Sequence, residues 1–269
     1  MPTVSRLLYR FLGGLFLFML PCFAAQADDN NALELLHEPW NALLMQHSTL
    51  DGHVDYQGML EEEDKLLDYL LSLRKVNPRN PAWSSNDTKA FWLNTYNAAA
   101  TYLVLQYYPI SSINDIRVKT VGGQKSPWDA PVVEVGGQSY SLNQIERQML
   151  TAQFHDPRVH FGLLYTAASA PAPLAEAYDG TRINQQLDAQ ARRFINDPTF
   201  NQLASGQVQV SGLFDAYSAE FGTETALIAF LNRYARTPIQ PTATIEYQSF
   251  SWALNDRTPI GNAQALGQH

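Results

Sequence analysis

The 269-residue chain has one cysteine, Cys22. That scarcity excludes disulfides, thiol catalysis and cysteine-ligated metal from everything downstream of residue 22. Stability must then come from an apolar core, and a chain of this length can bury about 70–75% of its unfolded surface. Positive charge is also short: 18 lysines and arginines stand against 26 aspartates and glutamates, a formal net charge of −8. Such a balance disfavours nucleic acid and anionic membrane surfaces as partners. Internal repeats, low-complexity tracts and a dividing linker are missing too, so one domain is expected over residues 28–269. The apolar run from Phe11 to Ala25 is shorter than the ~20 residues of a membrane span. Gly13-Gly14 and Pro21 also interrupt it.

That run has the shape of an export signal. Arg6 and Arg10 precede it, and Ala25-Gln26-Ala27 follows before the acidic Asp28. The pattern predicts a secretory leader over residues 1–27, cleaved after Ala27. The remaining 242 residues carry 16 basic and 26 acidic side chains, a formal charge of −10, and no cysteine. Pro21 in front of Cys22 is unsuited to lipoprotein processing, so a lipid anchor is not expected. The expected location is the periplasm or the cell exterior, with no stable membrane insertion once the leader is removed.

Helical periodicity starts at residues 31–46, where Leu33, Leu36, Trp40, Leu43 and Leu44 form a stripe. After the Asp51-Gly52 turn a second helix is expected over 59–76, ended by "NPRNP" at 77–81. A third is expected to start behind the caps Ser85 and Asn86 and to run to Pro109. It is apolar around nearly its full circumference, which implies burial on all sides. "APVVEVGGQSYSL" alternates about Gly136-Gly137, a hairpin signal, and Ser141 with Gln144 makes a capping box for "LNQIERQML". Thr181 is read as the start of "RINQQLDAQARRFIN", with Ile183, Leu187, Ala191 and Phe194 on one face. A strand in "QVQVS", a helix from Thr223 to Tyr234 and a strand around "ATIEYQSF" complete the chain. The expected fold class is α+β, mainly helical, with a small, mostly antiparallel sheet. Its core lies at about 85–256, with the N-terminal helices of 31–76 packed on it.

Few residues in this pattern carry chemistry. Asn94 and Asn97 sit one turn apart on the apolar third helix, with Tyr96 beside them. A buried amide costs ~1–3 kcal/mol when its hydrogen bonds go unmade, so each needs a partner. That partner is either loop backbone, making a structural clamp, or a bound ligand. His160 lies in the apolar run "RVHFGLL", as a satisfied core histidine or as a working group. Glu146 stands beside an apolar helix face and next to Arg147, the ordinary setting of a solvated or boundary carboxylate. The loop "TAASAP", residues 166–171, offers only the hydroxyls of Thr166 and Ser169. His37, His47, His53, His155 and His160 show no "HxH" or "HxxxH" spacing, and His269 is terminal, so no metal site is expected. No cofactor is expected either.

Five segments, in order, resemble the family catalogued as domain of unknown function 547. They are "AFWLNTYNA", "SLNQIERQML", "DPRVHFGLLYTAASAPAP", "LFDAYSAEFG" and "FSWALND", together spanning about residues 85–256, and "GHVDYQGM" resembles its entry segment. Family members usually show a His-Phe-Ala-Leu run leading to Cys-Gly, then Ser-Cys-Pro, and a late Tyr-Asp-Trp. His160, Phe161, Leu163, Ser169 and Pro171 match, and Asn94, Tyr96, Asn97, Glu146 and Arg158 are in place. Tyr165 and Ala170 stand at the two cysteine positions, Thr166 at the glycine, Ser251 at the late aspartate, and Glu220 at another usual aspartate. A family reaction that used a thiolate beside His160 is thereby lost. A structural cysteine pair could instead be replaced by one large and one small side chain, with Tyr165 and Ala170 close together beside His160 and the tyrosine hydroxyl reaching His160 or Glu146. The residues leave both open.

The reading that follows is a cell-envelope protein with a binding or accessory role, its cleft degenerate and its partner an unidentified small molecule or envelope protein. Asn94, Tyr96, Asn97, Arg158 and Tyr165 are the candidate binding residues. The competing reading is a hydrolase acting through Ser169, His160 and Glu146, although no "GxSxG" elbow surrounds Ser169.

Overall fold

A computed structural model describes residues 22–49 and 51–257, with side chains from residue 32 onward. The expected leader therefore lies outside the described residues except for the backbone of residues 22–27, and so does His269.

Helix α1, Cys22–His47, carries the expected stripe: Trp40, Leu43 and Leu44 are buried and Leu36 is half-buried. The expected second helix is divided. Asp55 accepts the Gly58 N–H and starts α2, Tyr56–Leu60; α3, Glu63–Ser72, follows and closes in a 3-10 turn, Leu73–Lys75. Helix α4, Ser85–Leu105, is capped one residue ahead of the expected pair. Ser84 Oγ accepts from Asp87 N, and the Asp87 carboxylate accepts from Ser84 N. It ends at Leu105, short of Pro109, and every residue from Lys89 to Thr101 is buried. Helices α1 and α3 pack on α4, as expected of the N-terminal segment.

Strands β1, Val118–Thr120, and β2, Gly123–Lys125, form a hairpin that the sequence pattern did not reveal. The expected hairpin is present as β3, Val133–Val135, and β4, Gln138–Tyr140. Gly136 and Gly137 both have positive φ, 57° and 79°, the backbone that a two-residue turn of this hand requires. Ser141 and Gln144 make their capping box at the head of α5, Leu142–Gln144. The helix then widens into a π-helical segment, Ile145–Thr151, packed on α4, and returns to α6, Ala152–Phe154. A short α7, Val159–Gly162, rests against α8, Ile183–Ile195, whose buried face holds Ile183, Leu187, Ala191 and Phe194 as expected. Thr181 does not cap it: its hydroxyl donates to Asp179 and the capping position falls to Arg182.

Strands β5, Gln202–Leu203, and β6, Gln207–Val210, pair antiparallel; β7, Thr244–Tyr247, joins β6 in parallel. Between β6 and β7 run α9, Leu213–Ala216, α10, Ser218–Phe221, and α11, Glu224–Leu231, the last capped by Thr223. Among the described residues the fold is α+β and mainly helical, with three small sheets in place of one and, between named strands, one parallel pairing among antiparallel ones. One apolar cluster runs from Leu33 to Ala243 and includes the rings of Phe161, Phe194, Phe214, Phe221 and Phe230. Among the described residues no helix is long and apolar enough to cross a membrane.

Candidate functional site

Helix α4 grips two loops through its asparagines. Asn94 donates to Tyr178 O and accepts from Tyr178 N, both at 2.8 Å. Asn97 donates to Gly162 O at 2.9 Å and accepts from Leu164 N at 2.8 Å. Both amides are buried and engaged at each end by backbone, the geometry of a clamp. The second clamp holds the four residues that separate His160 from Tyr165 and so fixes those two side chains relative to each other.

His160 Nδ1 lies 2.9 Å from Tyr165 Oη, and Tyr165 Oη donates to Glu146 Oε1, also at 2.9 Å. Direct approach of His160 Nδ1 to Glu146 Oε1 is longer, 3.6 Å. With the tyrosine proton on the carboxylate side, its oxygen accepts from Nδ1–H, which leaves the His160 Nε2 lone pair without a partner. Tyr217 stacks on the imidazole at 3.9 Å between centroids, and its hydroxyl also bonds Glu146 and Tyr165. Tyr96 meets Tyr165 edge-on, its own hydroxyl unpartnered. Glu146 reaches this interior because the wide π turn brings it inward together with Ile145 and Leu150, so the expectation of a solvated or boundary carboxylate is corrected.

Burial sets the protonation of the cluster. It drives His160 down to about 3, so the ring is neutral. Burial also raises Glu146, against the opposing hydrogen bonds from Tyr217 and Tyr165. Burial first, and the Glu146 charge second, push the Tyr165 hydroxyl well above its ordinary range. A neutral imidazole with 0% exposure and a phenol this hard to ionise make a relay of hydrogen bonds that offers no ready nucleophile. Four cavities in the described residues, of 620, 350, 280 and 430 Å³, have walls that do not include His160, Glu146 or Tyr165.

Ser169 points elsewhere. Its Oγ accepts from Ser251 N at 2.9 Å while its N–H donates to Ser251 O at 3.2 Å, and Ala168 N donates to Ala253 O. The loop is thus stitched to the chain at 251–254 instead of facing His160. Ala170 is buried in the wall of the 280 Å³ cavity, beside Gly52, His53 and Gln190, and Tyr165 is not part of that wall. The expected bonding of the tyrosine hydroxyl to His160 and Glu146 is what the geometry contains. Thr166 takes φ 55°, a left-handed conformation costly for a β-branched residue, at the position where the family's usual glycine stands.

Arg158 belongs to an ion cluster. It binds Asp156 through Nε and Nη2, Asp188 through Nη1 and Asn184 through Nη2, while the buried Lys89 reaches Asp156 at 2.8 Å. Burial works to raise Asp156, but the hydrogen bonds from Arg158 and Lys89 outweigh it and hold the carboxyl at about 2. The arrangement is that of a brace between the 156–158 turn and α8.

Two residues escaped the sequence reading. Tyr217 lies in the quoted segment "LFDAYSAEFG", and its place in that motif was the available signal. His37 sits on the apolar stripe of α1 between Leu33 and Trp40, a titratable group where only apolar ones are expected.

These features define an α+β protein in which a buried histidine is sealed beneath tyrosine rings and bridged to an internal carboxylate. Residues 81–195 match the model of the family described as "Protein of unknown function, DUF547". The match includes Asn94, Asn97, Glu146, His160, Tyr165 and Ser169, and it stops short of Tyr217 and the late "FSWALND" segment. No curated protein and no solved structure gives a significant match to the chain.

Proposed function

We propose that the protein is a non-catalytic binding or accessory protein of the cell envelope, exported through the 1–27 leader and acting in the periplasm or outside the cell. One observation carries the non-catalytic reading: the Tyr165 hydroxyl sits 2.9 Å from both His160 Nδ1 and Glu146 Oε1. Both groups are thereby engaged on their inner side, and the one remaining ring nitrogen, Nε2, where a triad's nucleophile would sit, is buried and bonded to no hydroxyl. The phenol itself is a weak nucleophile near neutral pH, since even an unperturbed tyrosine has a pKa of ~10. A serine route through Ser169 lacks support as well, because that hydroxyl is held at Ser251 N and makes no hydrogen bond to His160. What remains is a rigid scaffold with recesses on its surface, suited to holding a small molecule or an envelope protein.

The test is a panel of ester, amide and thioester substrates offered to the purified protein. No turnover above buffer is expected from the unmodified chain. Robust hydrolysis that is abolished by His160→Ala or Ser169→Ala would replace this reading with the hydrolase one.

A further inference from the structure

The β1–β2 hairpin is set apart from the rest of the chain in both charge and packing. Residues 116–128 hold Arg117, Lys119 and Lys125 and no acid, in a chain whose 26 acidic side chains outnumber its 18 basic ones. All three cations are exposed. Arg117 is bonded to the backbone oxygens of Asn114 and Ile116 and to no carboxylate, so its charge is not cancelled. Lys119 and Lys125 make no ion pair among the described residues. The nearest acids in sequence are Asp115 and Asp129. Asp129 is bonded to Ser126 and Asn143 and lies in the field of both Lys125 and Arg147.

The pairing of Val118 with Lys125, Lys119 with Gln124 and Thr120 with Gly123 closes the hairpin on Val121-Gly122, with Gly123 at φ 109°. No third strand joins the pair, and β2 is exposed along its whole length. Val118, at the base, packs against the core, whereas Val121, at the tip, is fully exposed at 111%, the most open of the large apolar side chains. A Cβ on Gly122 or Gly123 would meet nothing within 4 Å, so the tip stands clear of the body. Strands of three residues, at ~3.3 Å each, carry the tip about 10 Å outward. Charge is screened over ~8 Å at physiological ionic strength, so the acidic body is only weakly felt there. Two further exposed aromatic rings border the base. Tyr107 places its hydroxyl 3.5 Å from Arg117 O, and Trp252 packs on Trp128 at 5.4 Å between centroids.

We propose that this hairpin docks the protein reversibly on an anionic lipid surface, with Val121 in the headgroup layer, the three cations among the lipid phosphates, and Tyr107 and Trp252 bordering the contact. Cations, an apolar tip and flanking aromatic rings are the combination that a charged headgroup layer favours. A fluid surface closes around a protruding side chain, whereas a folded partner would need a hole shaped for it. A two-stranded hairpin is marginal in water on its own, and such a surface would steady it. The net charge of the whole chain disfavours anionic lipid, and the local reversal of charge on a projecting element overrides it. Docking of this kind needs no spanning helix, and none is present among the described residues. The inference rests on the envelope location proposed above and names the surface met there.

Co-sedimentation of the full exported protein with lipid vesicles tests it, using phosphatidylglycerol and phosphatidylcholine in equal parts against phosphatidylcholine alone. Binding to the anionic vesicles is expected to be at least roughly tenfold stronger than to the neutral ones, and to be released by added sodium chloride. The double substitution Lys119→Gln with Lys125→Gln should weaken binding roughly tenfold, and Val121→Asp by a similar factor. Melting temperatures should stay in place, because all three side chains are exposed. Lys119→Arg with Lys125→Arg, which keeps the charge, should keep the binding. No binding to the anionic vesicles, equal binding to the neutral ones, or binding unchanged by the double glutamine substitution would overturn the proposal. Capture by immobilised polyglutamate without vesicle binding would overturn it in favour of an acidic protein partner. Those outcomes leave the absence of turnover untouched, and hydrolysis in the substrate panel would leave vesicle binding untouched, so the two readings fail separately.

Discussion

His37 and His160 share an inner half and differ in everything beyond it. Each directs Nδ1 at a buried tyrosine hydroxyl, Tyr69 at 2.8 Å and Tyr165 at 2.9 Å. Burial lowers each ring to about 3, and each Nε2 lacks a partner. From Tyr165 the chain of bonds continues to Glu146, and Tyr217 closes the face of the ring. His37 has no such carboxylate behind its tyrosine, and a 620 Å³ cavity adjoins it. The same histidine–tyrosine pair is an internal strut in one place and the wall of a recess in the other. What surrounds the pair decides its use, and the pair alone is no signature of catalysis.

The largest expected difference between the two pairs appears on removing one oxygen from each. Tyr165→Phe strands His160 Nδ1 and leaves the buried Glu146 carboxylate with one donor fewer, and should cost roughly 3 kcal/mol, whereas Tyr69→Phe strands one ring nitrogen and should cost about 1 kcal/mol. Urea unfolding of the two variants checks this, and equal losses would erase the distinction. Next in size is the clamp that serves one pair only. Asn97→Leu leaves Gly162 O and Leu164 N without partners, between His160 and Tyr165, and should destabilise by roughly 1–3 kcal/mol. Its ring-proton signals from His160 should shift while those from His37 stay in place; an unchanged melting curve would show that the clamp is idle. The smallest effect is a gain. Thr166 is fully buried with an unpartnered hydroxyl, so Thr166→Val, keeping the shape, should raise stability by about 1 kcal/mol in the same unfolding measurement.

Local signals carried much of this architecture in the amino-acid sequence, and non-local contacts carried the site. The burial of α4, the Gly136-Gly137 turn and the Ser141–Gln144 capping box are each decided within a few residues, and each is legible. The Ser84 cap was missed by one position because Ser84, Ser85 and Asn86 are all able to cap, and only Asp87 at the third helical position selects the first. The π segment of 145–151 leaves no periodic trace in so short a helix, and with it went the burial of Glu146. The parallel pairing of β6 with β7 and the stacking of Tyr217 on His160 join residues distant along the chain, where composition and spacing are silent. The bonding of Tyr165 to His160 and Glu146 was legible through the family's motif order.

Protonation gives the sharpest view of the sealed cluster. The folded value of His160 lies below its unfolded one of ~6.5, so the unfolded chain binds the extra proton. The stability this contributes is fully present above pH ~6.5 and is lost as pH falls toward 3, with His37 adding in the same sense. Glu146, raised by burial, works oppositely, since the folded state takes up its proton more readily as the pH drops. Nitrogen–proton correlation spectra of the histidine rings, followed from pH 7.5 to 4.5 in the folded protein, report His160 directly. The account predicts a ring that stays neutral through that window, protonated at Nδ1 and showing a lone pair at Nε2. A His160 that titrates near 6.5 would instead be an open, poised base, and the sealed, non-catalytic reading would be contradicted.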